Sequence, residues 1–240
     1  MSHEHLAVLP KITFVTGNKN KLREVQQILA GTVVVDSERV DLPELQGDPM
    51  EIAKVKATTA FGILQRPCMV EDTSLCFDAL ANLPGPYIKW FLDGLGHEGL
   101  NKMLDGFAPN RKAHALCIFT VAVDKDTVLH FVGRCHGEIK RPQGPDAFGW
   151  DPIFFPTDGG HDGSLSFAQM GPAEKNKISH RFNALNELMT ALKDPDSAVV
   201  RGCTPASPAS PKAKAKADDA AASPGAAGKK RDREEHDMRL

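Results

Sequence analysis

Tyrosine and tryptophan are scarce, at one and two residues in 240, and no stretch of about 18 apolar residues is present to span a bilayer. The first ten residues, MSHEHLAVLP, lack both the basic start and the apolar core of a signal peptide. The expectation is a cytoplasmic protein with no membrane partner. No C-x-x-C pair occurs among the five cysteines, Cys68, Cys76, Cys117, Cys135 and Cys203. An odd, dispersed set argues against a disulfide framework or a zinc knuckle and fits reduced, buried thiols. Charge of one sign is lacking as well, the net value being −2 at pH 7.

That balance hides a division, because all 15 aromatic residues precede position 195. Residues 1–194 carry 20 basic and 24 acidic side chains, whereas residues 195–240 carry nine and seven. The first segment reads as one folded domain. The second, mostly Ala, Pro, Ser, Lys and Asp, has too few large apolar groups to offset the entropy of ordering and reads as a disordered tail. Basic clusters at 212–216 and 229–233 leave nuclear entry open for it. An acidic domain offers no basic face for duplex nucleic acid, so no stable nucleic-acid partner is expected and a small-molecule ligand is favoured.

Along the domain, residues 12–16 (ITFVT) have strand character and stop at Gly17-Asn18, after which Leu22, Val25, Ile28 and Leu29 recur at helical spacing. A strand at 32–35, a helix from Ile52 to Leu64 and a short strand at 68–70 running into Glu71-Asp72 complete a β-α-β-α-β opening. Short helices are expected near 87–92 and 100–104. Residues 113–123 and 127–139 form an antiparallel hairpin across Asp-Lys-Asp. Ile178, Phe182, Leu185, Leu188 and Leu192 mark a final amphipathic helix. This order implies an α/β fold on a mixed sheet, with ligands at loops beyond the strand ends.

Four segments carry candidate chemistry. Thr16-Gly17-Asn18-Lys19-Asn20-Lys21 joins strand to helix, where glycine lets the backbone approach an anion, a helix start presents free N–H groups and lysines add charge. Walker A spacing is absent. Glu44 in a loop and Glu71-Asp72 at a strand end are carboxylates suited to Mg²⁺ with substrate phosphates. Adjacent strand residues point to opposite faces, so one of Glu71 and Asp72 is expected to stand outside the site. Phe148-Gly149-Trp150-Asp151 could stack on a planar base and accept from ring N–H groups. Lys175, Ser179, His180 and Arg181 lie at the head of the last helix, Lys175 and Ser179 sharing a face.

Read together, TGNKNK at 16–21, DLPELQG at 41–47, VEDTSL at 70–75, LPGPYIKWF at 83–91, FGWDPIF at 148–154 and AEKNKISHR at 173–181 resemble the inosine triphosphate pyrophosphatase (HAM1-like) family in order and spacing. The resemblance implies an elongated mixed sheet with flanking helices, two lobes around a central cleft and a homodimer. It implies hydrolysis of ITP, dITP and XTP to monophosphate and pyrophosphate, with Mg²⁺, or alternatively Mn²⁺, as cofactor. By the same resemblance the 16–21 loop, with Lys21 its main charge and a catalytic role, together with Lys56, Thr73 and Lys89, would hold the triphosphate. Glu44 and Asp72 would handle the metal and the attacking water. Phe148, Gly149, Trp150, Asp151, Lys175, His180 and Arg181 would surround the base, with Arg181 and His180 donating to a 6-oxo group that adenine lacks. Two other readings stand beside it: a purine-nucleotide sensor without turnover, and a pyrophosphatase for other modified nucleotides.

Overall fold

A computed structural model describes residues 9–203. Strands β1 (Lys11–Val15), β2 (Val34–Glu38), β3 (Cys68–Phe77), β4 (Pro84–Gly85), β5 (Lys112–Ala122), β6 (Val128–Ile139) and β7 (Phe154–Pro156) form one sheet in the order β2-β1-β3-β5-β6-β7, with β4 beside β3. The pairs β1–β2 and β1–β3 are parallel and the rest antiparallel, so the sheet is mixed as expected. The hairpin of β5 and β6 pairs throughout, from Lys112 opposite Glu138 to Ala122 opposite Val128.

Helices α1 (Lys19–Ile28), α5 (His180–Lys193) and α6 (Ala198–Cys203) cover one face of the β1 end, and α2 (Pro49–Leu64) covers the other. On the first face Val25, Leu29, Ala184, Leu185 and Leu188 pack on Phe14, Met69, Phe119 and Phe131. A second core lies at the far end of the same long strands. There Leu75, Phe77, Ala113 and Ile139 meet Ile88 and Leu100 of α3 (Ile88–Lys102), Trp150, Phe154, Phe167, and Ile178 of α4 (Pro172–Ile178). Two lobes thus share β3, β5 and β6.

Several expected boundaries move. The strand expected at 32–35 starts later because the Thr32 and Val33 N–H groups still bond back to Leu29 O, at 3.0 and 3.4 Å. The strand expected at 68–70 runs ten residues, since β5 pairs with every one of them, including the polar Glu71-Asp72-Thr73-Ser74. Glu71-Asp72 therefore sits mid-strand. The two short helices expected near 87–92 and 100–104 are present with moved bounds, as two helical stretches of α3 separated at Gly96, whose φ of 64° and ψ of −178° are not helical. The single last helix is instead α4 and α5, broken at Ser179, where ψ is 153° and the side chain caps Phe182 N–H at 3.1 Å. Helix α6 carries the packed chain past the expected boundary at 194. Val199 and Cys203 are buried in the first core, so this segment does hold enough apolar side chain to order. The disorder expected from 204 onward lies outside the described residues. All five cysteines are free and buried.

Candidate functional site

Strand β3 holds its β1 partner only at Cys68 and Met69 and meets β4 only at Leu75 and Cys76. Between them, Val70 to Ser74 form an edge open on one side, and a cleft of about 690 Å³ lies against it. At such an edge both faces of the strand border the same space. Glu71 and Thr73 line the cleft from the face of α1 and α5. Asp72, on the opposite face, pairs through Oδ1 with Lys56 Nζ of α2 at 2.5 Å, and Lys56 lines the cleft. As expected, only one of Glu71 and Asp72 lines the cleft; it is Glu71, whereas Asp72, the one expected at the site, is a hydrogen bond behind the wall on Lys56.

At one end the wall is cationic. Thr16, Gly17, Asn18 and Lys21 line it, with Glu44, Lys56 and Lys89. The helix start is not a set of free N–H groups, because Asn18 Oδ1 accepts from Asn20 N and Lys21 N at 3.0 and 3.1 Å. This is an ordinary N-cap, which leaves the anion-attracting role to side chains. Asn20 and Lys19 are exposed on the first turn of α1 and do not line the cleft. Gly47 N–H donates to Tyr87 Oη at 3.0 Å, tying the loop of Glu44 to the start of α3, where Lys89 lies 5.1 Å from the Trp90 ring centroid. Arg39, Asp41 and Asp93 also line this end and were not foreseen.

At the other end the wall is aromatic and dry. Phe148, Gly149, Trp150, Asp151, His180 and Arg181 line it. Lys175 does not; it lines an adjoining cavity of about 320 Å³ with Asn20, and reaches the cleft wall through Asp151. Its Nζ sits 2.5 Å from Asp151 Oδ2, 3.4 Å from Glu24 Oε1 and 4.7 Å from the Phe148 ring centroid. Burial pushes the Asp151 carboxyl up, against the pull of Lys175. Arg181 is buried, its terminal nitrogens donating to Glu24, to Glu71 at 2.9 Å and to Thr73 at 3.3 Å. Burial alone would raise the Glu71 carboxyl, but the charges of Lys21, 2.5 Å away, and Arg181 hold it well below the usual range. Glu24 is the residue sequence reasoning missed, since its partners lie more than 150 positions away with no local pattern to announce them.

His180 differs from its neighbours. It is fully buried, its ring centroid lies 5.3 Å from that of Trp150, and neither ring nitrogen has a hydrogen-bond partner. Burial, aided by Arg181 and Lys175, pulls its pKa well below the ordinary value, so the ring is neutral and offers one donor and one acceptor. His97 Nε2, bonded to Gly149 O at 2.8 Å, ties α3 to the aromatic turn.

Among the described residues no three His, Cys, Asp or Glu side chains are grouped as a complete metal site. Mg²⁺ usually takes one or two carboxylates and completes its shell with water and substrate phosphates. Asp72 Oδ2 is buried without a partner among the described residues and Glu44 is on the cleft wall, so each has the oxygen chemistry that such an ion takes.

A mixed sheet with a cleft lined by lysines at one end and by aromatic side chains at the other defines an α/β protein with a ligand-sized cleft, and sequence comparison makes the class specific. The Ham1 family profile matches residues 12–191, and the chain belongs to this family. It is 50% identical over 177 residues to inosine triphosphate pyrophosphatase 2 of Trypanosoma cruzi, covering 73% of this chain and 88% of that protein. With the inosine triphosphate pyrophosphatase of Emericella nidulans it shares 50% identity over 184 residues, covering 76% and 97%. Among solved structures, a HAM1 protein from Coxiella burnetii matches with a TM-score of 0.67 at 27% identity, covering 78% of this chain and 99% of that one.

Proposed function

We propose that the chain hydrolyses altered purine nucleoside triphosphates, ITP, dITP and XTP, to the monophosphate and pyrophosphate, which would keep them out of DNA and RNA. The observation that carries this reading is the pairing of His180, buried, neutral and with unspent hydrogen-bonding capacity, with a cationic wall at the other end of the same cleft. The names of the relatives support it.

The triphosphate lies toward the 16–21 loop, where Lys21, Lys56, Lys89 and Thr73 neutralise and orient it. Charge placed where pyrophosphate departs lowers the barrier for in-line attack of water on the α-phosphorus. Asp72 holds Lys56 with Oδ1 and leaves Oδ2 unpartnered, so Oδ2 is where this chain accepts a proton from the attacking water. Glu44 and Asp72 would hold Mg²⁺, or Mn²⁺, which supplies further charge neutralisation of the phosphates when bound.

The purine packs against Phe148 and Trp150, and an N–H of His180 donates to its 6-oxo group. Adenine presents a donor there, which the neutral ring can meet only by moving its proton to the other nitrogen, so His180 favours the 6-oxo group without by itself excluding adenine. Arg181 is not the free donor expected from the sequence: its terminal nitrogens are engaged, and only Nε is unpartnered. It shapes the pocket and leaves the reading of the 6-position to His180. The protein acts as a homodimer in the cytoplasm, and sedimentation tests the dimer. Pyrophosphate release from ITP, XTP, GTP and ATP with Mg²⁺ tests the activity. Fast release from ITP and XTP is expected, and equal rates on all four would refute it.

A further inference from the structure

Glu71 is shared by two cations that belong to opposite ends of the cleft. Its side chain is fully buried, with Lys21 Nζ on Oε2 at 2.5 Å and Arg181 on Oε1 at 2.9 Å. Thr73 Oγ1 and Cys117 Sγ, the latter at 3.3 Å, also donate to Oε1. The two cations are held unequally. The Arg181 side chain keeps 2% of its exposure and has Glu24 as a second anchor, whereas that of Lys21 keeps 22% and has Glu71 as its one carboxylate. Only Lys21 is free to swing into the cleft.

Resting on the reading above that Lys21 meets the triphosphate, we propose that Glu71 is a positioning residue that couples the two ends of the site. In the empty cleft it keeps Lys21 in reserve, in competition with any arriving phosphate. As a triphosphate draws Lys21 away, the Glu71 charge is left to Arg181, which fixes the wall against which the base packs. Phosphate binding thereby completes the base pocket, and linkage requires that a bound base strengthen phosphate binding in return.

The coupling gives two effects of opposite sign. Glu71→Gln frees Lys21 and removes a negative charge from behind an anionic ligand, so inorganic tripolyphosphate, which has no base, should inhibit more tightly, by at least the roughly fivefold that an exposed pair is worth. In the same variant the kcat/KM ratio of ITP over ATP should fall by about tenfold, because Arg181 then has Glu24 as its remaining charged anchor and the wall is held less firmly. Glu71→Asp keeps the charge and should return both values most of the way to wild type. A merely structural Glu71 predicts the reverse for the probe, and unchanged or weaker tripolyphosphate inhibition in Glu71→Gln overturns the coupling. Lys21→Ala separates this from the underlying reading: if tripolyphosphate inhibition survives there, Lys21 does not meet phosphate at all. If it is lost there but Glu71→Gln shows no tightening, only the coupling fails. Should Glu71→Gln not fold, titration of inosine into the unmodified protein decides, with several-fold tighter binding expected when tripolyphosphate is present and equal or weaker binding overturning the proposal.

Discussion

At the lysine end of the cleft, the Lys21 and Lys56 side chains retain 22% and 15% of their exposure, and each has one carboxylate partner. At the aromatic end, Lys175 and Arg181 retain 7% and 2%, and each has two. The same chemistry, cations paired with acids, serves different ends. A cation with a single acid and some exposure is cheaper to move than one held twice and fully buried, so the lysines are the more movable charges. Buried, doubly held pairs are costly to break, so the aromatic end rearranges less than the lysine end. On the proposed reading, a flexible triphosphate would meet the more movable charges and a rigid purine the more fixed wall.

The comparison is broken most severely at Asp72. Asp72→Asn removes the proton acceptor of the wet end at constant size, and kcat on ITP is expected to fall about 10³-fold. Its melting temperature should stay close to wild type; retained turnover would place Asp72 outside the chemistry.

Gly133→Ala attacks the dry end without touching a polar group. An added Cβ would lie 2.1 Å from His180 O and 2.2 Å from Ala184 N, both backbone atoms that cannot swing aside. Helix α5 must lift from β6, so a loss of about 1–3 kcal/mol in urea unfolding is expected together with weakened ITP binding. A variant as stable and as tight as wild type would show that α5 is not held by this contact.

Protonation gives a milder test. His180 stays neutral in the folded protein, while the unfolded chain takes up a proton below its usual value of 6.5. The unfolded state therefore gains protons first, and stability should fall as pH drops from 7 to 5, by up to about 1.4 kcal/mol per unit for this group. His114 and His130 are lowered by burial too and act in the same direction. The His180→Gln variant isolates the effect and should flatten the slope of unfolding free energy against pH; an unchanged slope contradicts a neutral buried ring. Glu71 is lowered from 4.5 and contributes only below that pH, outside the window.

The smallest effect concerns the end of the packed chain. Removing residues 204–240 should leave turnover and melting temperature unchanged. Cutting after Asp194 also strips Val199 and Cys203 from the first core and should lower the melting temperature by a few degrees. Equal melting of the two truncations would mean that α6 adds nothing.

Much of this was legible because it is local. The apolar run of β1, the turn at Gly17-Asn18 and the hairpin around Asp124 each announce themselves within a dozen residues. Strand β3 was cut short because Glu-Asp-Thr-Ser interrupts its apolar run, and only pairing with β5 makes it continuous. The break between α4 and α5 was hidden because Ile178 and Phe182 keep helical spacing across Ser179. Helix α6 was lost inside a segment whose average composition is that of a tail. Of the cleft lining, the loop at Thr16 to Lys21 and the aromatic turn were readable, but the pairing of Glu24 and Glu71 with Arg181 joins residues far apart along the chain. Their roles are properties of the fold.

The stretch of β3 that is paired on one side only limits how this sequence can change. From Glu71 to Thr73, successive residues are dealt alternately to the two sides of the sheet, so position parity decides which side chain joins Arg181 and which joins Lys56. Inserting or deleting one residue there would exchange the two acids' surroundings, turning a carboxylate bound to arginine toward α2 and its neighbour toward α5. Substitutions in these positions can be graded in effect, but a change of length is all-or-nothing. The loops around the cleft can grow or shrink; this short run of strand has to keep its count.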